Sequence, residues 1–245
     1  MGRIMEDIDI PAVLEQAFKE MLNNYYLKEL LPRLDKWLEC SCEQVYHYNL
    51  RYYLDKLLPK SISIKIKDEK TLKKICKENC CLRENQKKKG HEKDKRVGRV
   101  GKGSKVDIHI EDKDVFIEMK MGKMHHSLNI SDSDFKKLYL KDINKLARIK
   151  NEKGVNCRCF LLKITHDINN VPKKIQDKYP DIKGASYADK VRKLKKIYDK
   201  CIVNKFSEID KGYGCLAPYK LKFVADSSNL ENDVFIYHLW EVVEK

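Results

Sequence analysis

Apolar residues recur every three or four positions at the start of the chain. Val13, Leu14, Phe18, Met21, Leu22 and Tyr25 follow Asp9 and Pro11, which predicts an amphipathic helix opening at that step. Leu30, Leu31, Leu34, Trp37 and Leu38 predict another, and Tyr46, Tyr48, Tyr52, Tyr53, Leu54, Leu57 and Leu58 extend the aromatic-rich pattern to Pro59. The period then changes. Ile62, Ile64 and Ile66 alternate with hydroxyl and basic residues, as in a strand, and residues 68–82 suit a short helix. Val106, Ile108 and Ile110 alternate with Asp107 and His109; Val115, Ile117 and Met119 alternate with Phe116, Glu118 and Lys120. A hairpin turning at 111–114 is expected, and if Ile110 faces Val115, antiparallel pairing sets Asp107 opposite Glu118.

Farther on, Phe135, Leu138, Tyr139, Leu146 and Ile149 predict a helix capped by the run Ser131, Asp132, Ser133, Asp134. Cys159 to Ile164 reads as a buried strand. Tyr187, Val191, Leu194, Tyr198, Cys201 and Phe206 indicate a long helix, and strands are expected over 220–225 and 234–243. The order of elements predicts an α/β fold, with a central mixed sheet flanked by helices, a helical N-terminal region and an α/β C-terminal addition. The expected divisions are a helical region at 1–60, a core at 61–165 and an accessory helix with strands at 166–245, in one continuous domain.

Charge narrows the partners. The 245 residues carry 51 Lys plus Arg against 37 Asp plus Glu, a net +14, of which residues 61–105 alone supply +10. That concentration suits a polyanion. Lys87, Lys88, Lys89, Lys95, Arg96, Arg99, Lys102 and Lys105 lie in a Gly- and Lys-rich connection at 86–105 and can meet successive DNA phosphates, which adds affinity without sequence readout. Lys190, Arg192, Lys193, Lys195 and Lys196 offer a second basic surface, or simply a soluble helix face. No GKS or GKT closes a Gly-rich loop, so a Walker-type nucleotide site is not expected.

The nine cysteines are odd in number and lack standard zinc spacing, which favours free, packed thiols. The start, MGRIMEDIDIPAV, has no signal-peptide run and no later stretch is long and apolar enough to span a bilayer. A cytoplasmic protein without a membrane partner is expected.

Asp107, Glu118 and Lys120 can converge on one face of the hairpin, where two carboxylates suit a hard divalent cation such as Mg²⁺ and an ammonium group can orient water or stabilise developing charge. The bland account is a solvated hairpin with a cross-strand ion pair. The sequence Val106, Asp107, then Glu118, Met119 and Lys120, resembles the PD-(D/E)XK nuclease superfamily, with VD in place of PD and EMK in the ExK form. The resemblance covers chiefly residues 106–164. It implies a restriction endonuclease-like core, with Asp107 and Glu118 as Mg²⁺ ligands and Lys120 as the catalytic lysine. It further implies cleavage of double-stranded DNA, a type II restriction enzyme acting as a homodimer, and a cognate DNA methyltransferase in the same system. A repair or junction nuclease, or an inactive DNA-binding protein, would share the same trio. An extra acid from an upstream helix is expected from Glu15 or Glu20, with Glu39 and Glu43 behind them. Asp142 and Lys145 on the helix after the hairpin are expected to support the site. His109 can share its face, and His125 and His126 are expected in a polar loop.

Overall fold

Asp9 opens the first element, because its carboxylate accepts a hydrogen bond from the Ala12 backbone N–H at 3.1 Å. Pro11 follows in the first turn, where its missing N–H removes no helical bond. Helix α1 therefore runs over Ile10–Leu27. In the computed structural model the described residues are 8–27, 43–60, 62, 64–66, 106–166, 173–182, 185–212, 218–228, 230 and 235–245. The expected helices over 30–38 and 68–82, the basic connection at 86–105 and a short strand around Val97 and Val100 lie outside them.

Helix α2 (Glu43–Leu57) packs against α1. Strands β1 (Ile64–Ile66), β2 (Ile108–Ile110) and β3 (Val115–Lys123) then form an antiparallel meander. Between β2 and β3, residues Glu111–Lys113 make one turn of 3-10 helix and Asp114 takes a left-handed conformation with φ of 44°. Short helix α3 (Met124–Asn129) and helix α4 (Asp132–Lys153) carry the chain to β4 (Arg158–His166), which runs parallel to β3. A parallel pair needs such a crossover, since no tight turn can join its ends. Helices α5 (Lys173–Lys178) and α6 (Tyr187–Gly212) precede β5 (Tyr219–Asp226) and β6 (Phe235–Glu244).

The described strands make one six-stranded mixed sheet in the order β1-β2-β3-β4-β6-β5. The C-terminal strands thus complete the central sheet rather than forming a layer of their own. Side-chain alternation splits the interior in two. Helices α1 and α2 cover one face, where Phe18, Tyr46 and Leu50 meet Ile117, Met119, Phe160, Leu162, Phe235 and Leu239. Helices α4 and α6 cover the other, where Tyr139, Ile143, Leu194 and Phe206 meet Phe116, Leu161, Trp240 and Val242.

The Ser131 hydroxyl caps α4 by accepting from the Asp134 N–H at 3.2 Å, as its sequence predicts. One expectation is corrected: His125 and His126 belong to helix α3 rather than a polar loop, with His126 exposed. That helix spans six residues, too few for a periodic pattern to stand out in the sequence. No helix among the described residues is long and apolar enough to cross a membrane.

Candidate active site

The hairpin register follows from its hydrophobic alternation. Ile110 pairs with Val115 and Ile108 with Ile117, so Asp107, one residue before β2, comes beside Glu118 on β3. A one-residue slip would turn Ile108 and Ile110 out of the α1/α2 core, which pins this alignment. The backbone N–H of Met119 donates to Asp107 Oδ2 at 2.8 Å, fastening the carboxylate across the hairpin. His47 of α2 brings Nε2 to 3.8 Å from the same oxygen. Asp107 and Glu118 are only 5% and 3% exposed, so they do not form the solvated pair of an ordinary surface hairpin.

Helix α4 supplies the rest. Asp142 and Lys145 stand three residues apart, hence on one side of the helix, and Ile143 and Leu146 anchor that region in the α4/α6 core. The Lys145 ammonium ion pairs with Glu118 Oε2 and lies 4.0 Å from Asp142 Oδ1. Lys120, on the same strand and face as Glu118, is turned to Asp142 Oδ2 at 3.1 Å. The structure therefore links Glu118 and Lys120 through the two expected supporting residues on α4, while Asp107 is held by the Met119 N–H and approached by His47.

Burial is the main reason the Glu118 carboxyl is pushed up to about 8, and the neighbouring Asp107 charge adds to it. Lys145 pulls the other way through its ion pair, and Asp142 contributes further repulsion. Three acids and two lysines are gathered here, with Asp107, Glu118 and Asp142 buried.

Other expected residues fall elsewhere. Glu15 pairs with Lys19 at 2.7 Å along α1, and Glu20 accepts from Gln16 Nε2 at 3.0 Å. His109 is on the site's face of the sheet, but its ring stacks on Phe116 at 4.1 Å, toward the Asp114 turn. On α6, Arg192 pairs with Asp189 and Lys193 donates to the Asp181 carbonyl at 2.9 Å, so both have local structural work. Lys87, Lys88, Lys89, Lys95, Arg96, Arg99, Lys102, Lys105 and Glu39 lie outside the described residues.

Three neighbours escaped the sequence reading: Lys163, His238 and His47. Lys163 on β4 is the cross-strand partner of Lys120, is 1% exposed, and holds its ammonium 5.5 Å over the Tyr139 ring. His238, the next residue in the same row across β6, is fully buried with Nε2 2.9 Å from Asp199 Oδ1. The signal for Lys163 was present as a lone charge inside the apolar run from Cys159 to Ile164. His47 carried none, because its approach to Asp107 depends on how α2 docks. Cys157 and Cys159 are free and buried, with sulfurs 3.5 Å apart.

Among the described residues, no three His, Cys, Asp or Glu side chains form a ready-made cation cage. The donor set of Asp107 and Glu118 still fits Mg²⁺, an ion commonly held by one or two carboxylates while water and substrate phosphate complete its shell. Comparison with protein-family models, with curated proteins and with solved structures finds no match to this chain.

Proposed function

We propose that the chain is a Mg²⁺-dependent endonuclease that hydrolyses phosphodiester bonds in double-stranded DNA, a restriction endonuclease-like member of the PD-(D/E)XK superfamily. The observation that carries the reading is the buried acid pair Asp107 and Glu118, with Lys145 on Glu118 and Lys120 on the neighbouring Asp142. Interiors rarely hold such a group without function, since each buried charge must offset a desolvation penalty of several kcal/mol. The ExK strand β3 leads through helix α4 into the parallel strand β4 of a mixed sheet, an order that supports the reading.

Asp107 and Glu118 would hold the metal. Bound there, Mg²⁺ would draw charge from the scissile phosphate and ease ionisation of the attacking water. Asp107 is aimed by the Met119 N–H, which fixes the direction its carboxylate faces. Asp142 holds the Lys120 ammonium at 3.1 Å, from where it would orient water or meet the developing phosphate charge. The basic tract at 86–105 supplies backbone phosphate contacts. A homodimer would bring two such sites to the two strands of the duplex.

The test is cleavage of a mixed, unmethylated duplex with Mg²⁺ by wild type and a folded Asp107→Asn variant, run side by side. Discrete fragments from wild type alone are expected. Tight DNA binding without cleavage by either protein would sink the nuclease reading in favour of a noncatalytic DNA-binding protein.

A further inference from the structure

The two lysines at the acid pair are not equivalent. Lys120, the lysine of the ExK motif, is turned to Asp142, while Lys145 from the crossover helix puts its ammonium on Glu118. Glu118 is 3% exposed, so the atom touching it takes the place open to an incoming cation. A second carboxylate oxygen, Asp142 Oδ1, lies 4.0 Å from the same ammonium and offers it somewhere to go. We propose that Lys145 is a built-in placeholder for the divalent cation: it neutralises Glu118 until the metal arrives, then moves to Asp142. This inference rests on the nuclease reading and assigns Lys145 as a positioning residue that sets metal affinity.

The physical reason is charge at short range. With Glu118 ionised, Asp107, Glu118 and Asp142 bring three negative charges against the two positive charges of Lys120 and Lys145. A divalent ion entering beside an ammonium meets strong repulsion in a poorly hydrated site. Moving Lys145 onto Asp142 relieves that repulsion and keeps the ammonium paired. It also places both lysines on one carboxylate, next to where substrate phosphate would lie.

The experiment is calorimetric titration of Mg²⁺ into DNA-free protein at about pH 9, above the range in which protons compete for Glu118. Wild type, Lys145→Met, Lys120→Met and Glu118→Gln are compared. At least about tenfold tighter binding is expected for Lys145→Met, with a smaller change for Lys120→Met and loss of binding for Glu118→Gln. If Lys145→Met binds no tighter while Glu118→Gln still abolishes binding, the metal site stands and the placeholder role is overturned. If Glu118→Gln leaves binding unchanged, or no protein binds Mg²⁺, the metal-site reading itself fails, and the placeholder with it.

A second measurement uses wild type alone and does not depend on the variants folding. Acylation of lysine amines, read by mass spectrometry, should modify Lys145 several-fold faster with saturating Mg²⁺ than without. Equal rates with the metal bound would overturn the proposal.

Discussion

The two faces of the central sheet are built from the same strands yet carry opposite chemistry. On the α1/α2 side, β3, β4 and β6 present Ile117, Met119, Phe160, Leu162, Ile164, Phe235, Tyr237 and Leu239. On the α4/α6 side the same strands present Glu118, Lys120, Lys163, Thr165 and His238 among Phe116, Leu161 and Trp240. The backbone ladder lies in the plane of the sheet and uses no side chain from either face. They also fall in register, with Lys120 beside Lys163 and Lys163 beside His238. A hydrocarbon face stabilises in proportion to the area it removes from water, whereas an ionisable face must first overcome desolvation. Both faces bury apolar area that supports the fold, and the α4/α6 face in addition holds ionisable groups at fixed positions.

The sharpest break between the faces should appear in catalysis. Glu118→Gln is expected to cut DNA cleavage on the order of 100-fold or more, since it removes about 3 kcal/mol of transition-state stabilisation. Single-turnover cleavage at saturating Mg²⁺ would check it; a wild-type rate from the folded variant would remove Glu118 from the site. On the apolar face, Leu162→Ala should cost about 3 kcal/mol of stability through lost contact and a cavity, read from urea unfolding.

Acidity separates the faces next. Glu118 ionises near 4.5 when unfolded but holds its proton to about 8 in the fold, beside Asp107, Asp142, Lys145 and Lys120. The folded state binds the extra proton in that window. This contribution is complete below about pH 4.5 and is lost as pH rises through about 8. Wild-type Tm should therefore fall by several degrees more than that of Glu118→Gln between pH 5 and pH 8. Parallel Tm profiles would show that Glu118 titrates normally.

Smaller effects test the row beyond the acids. Lys163→Met replaces a buried ammonium by a chain of similar length, and its stability should match wild type or exceed it by about 1 kcal/mol. A loss as large as that of Leu162→Ala would mean that the charge itself holds the two layers together. Least of all, Lys153→Ala removes a half-exposed partner of Asp114 at 3.4 Å and should shift stability by less than about 0.5 kcal/mol in the same unfolding assay.

Legibility followed the range of the interactions. The α1 start at Asp9, the Ser131 cap of α4 and the alternation of β2 and β3 are local, and each was readable from a few neighbouring residues. The opposition of Asp107 and Glu118 was likewise readable, because hairpin register follows from alternation and turn length. Asp142 and Lys145 could be named only as residues near the apolar side of their helix. Which lysine would meet which acid depends on the rotation and height of α4 against β3, set by Phe135, Tyr139, Ile143 and Leu146 in a core assembled from distant segments. The short helix at 124–129 and the docking of His47 on Asp107 were hidden for related reasons.

From its sequence alone, this protein's α/β class, its hairpin register and the meeting of two carboxylates were determined, because each rests on periodicity and near-neighbour geometry. Tertiary structure decided that those carboxylates are buried, that Lys145 meets Glu118 while Lys120 meets Asp142, and that Lys163 and His238 continue the polar row. Those outcomes depend on how helices pack on a sheet, and packing is a sum over contacts between residues far apart in the chain.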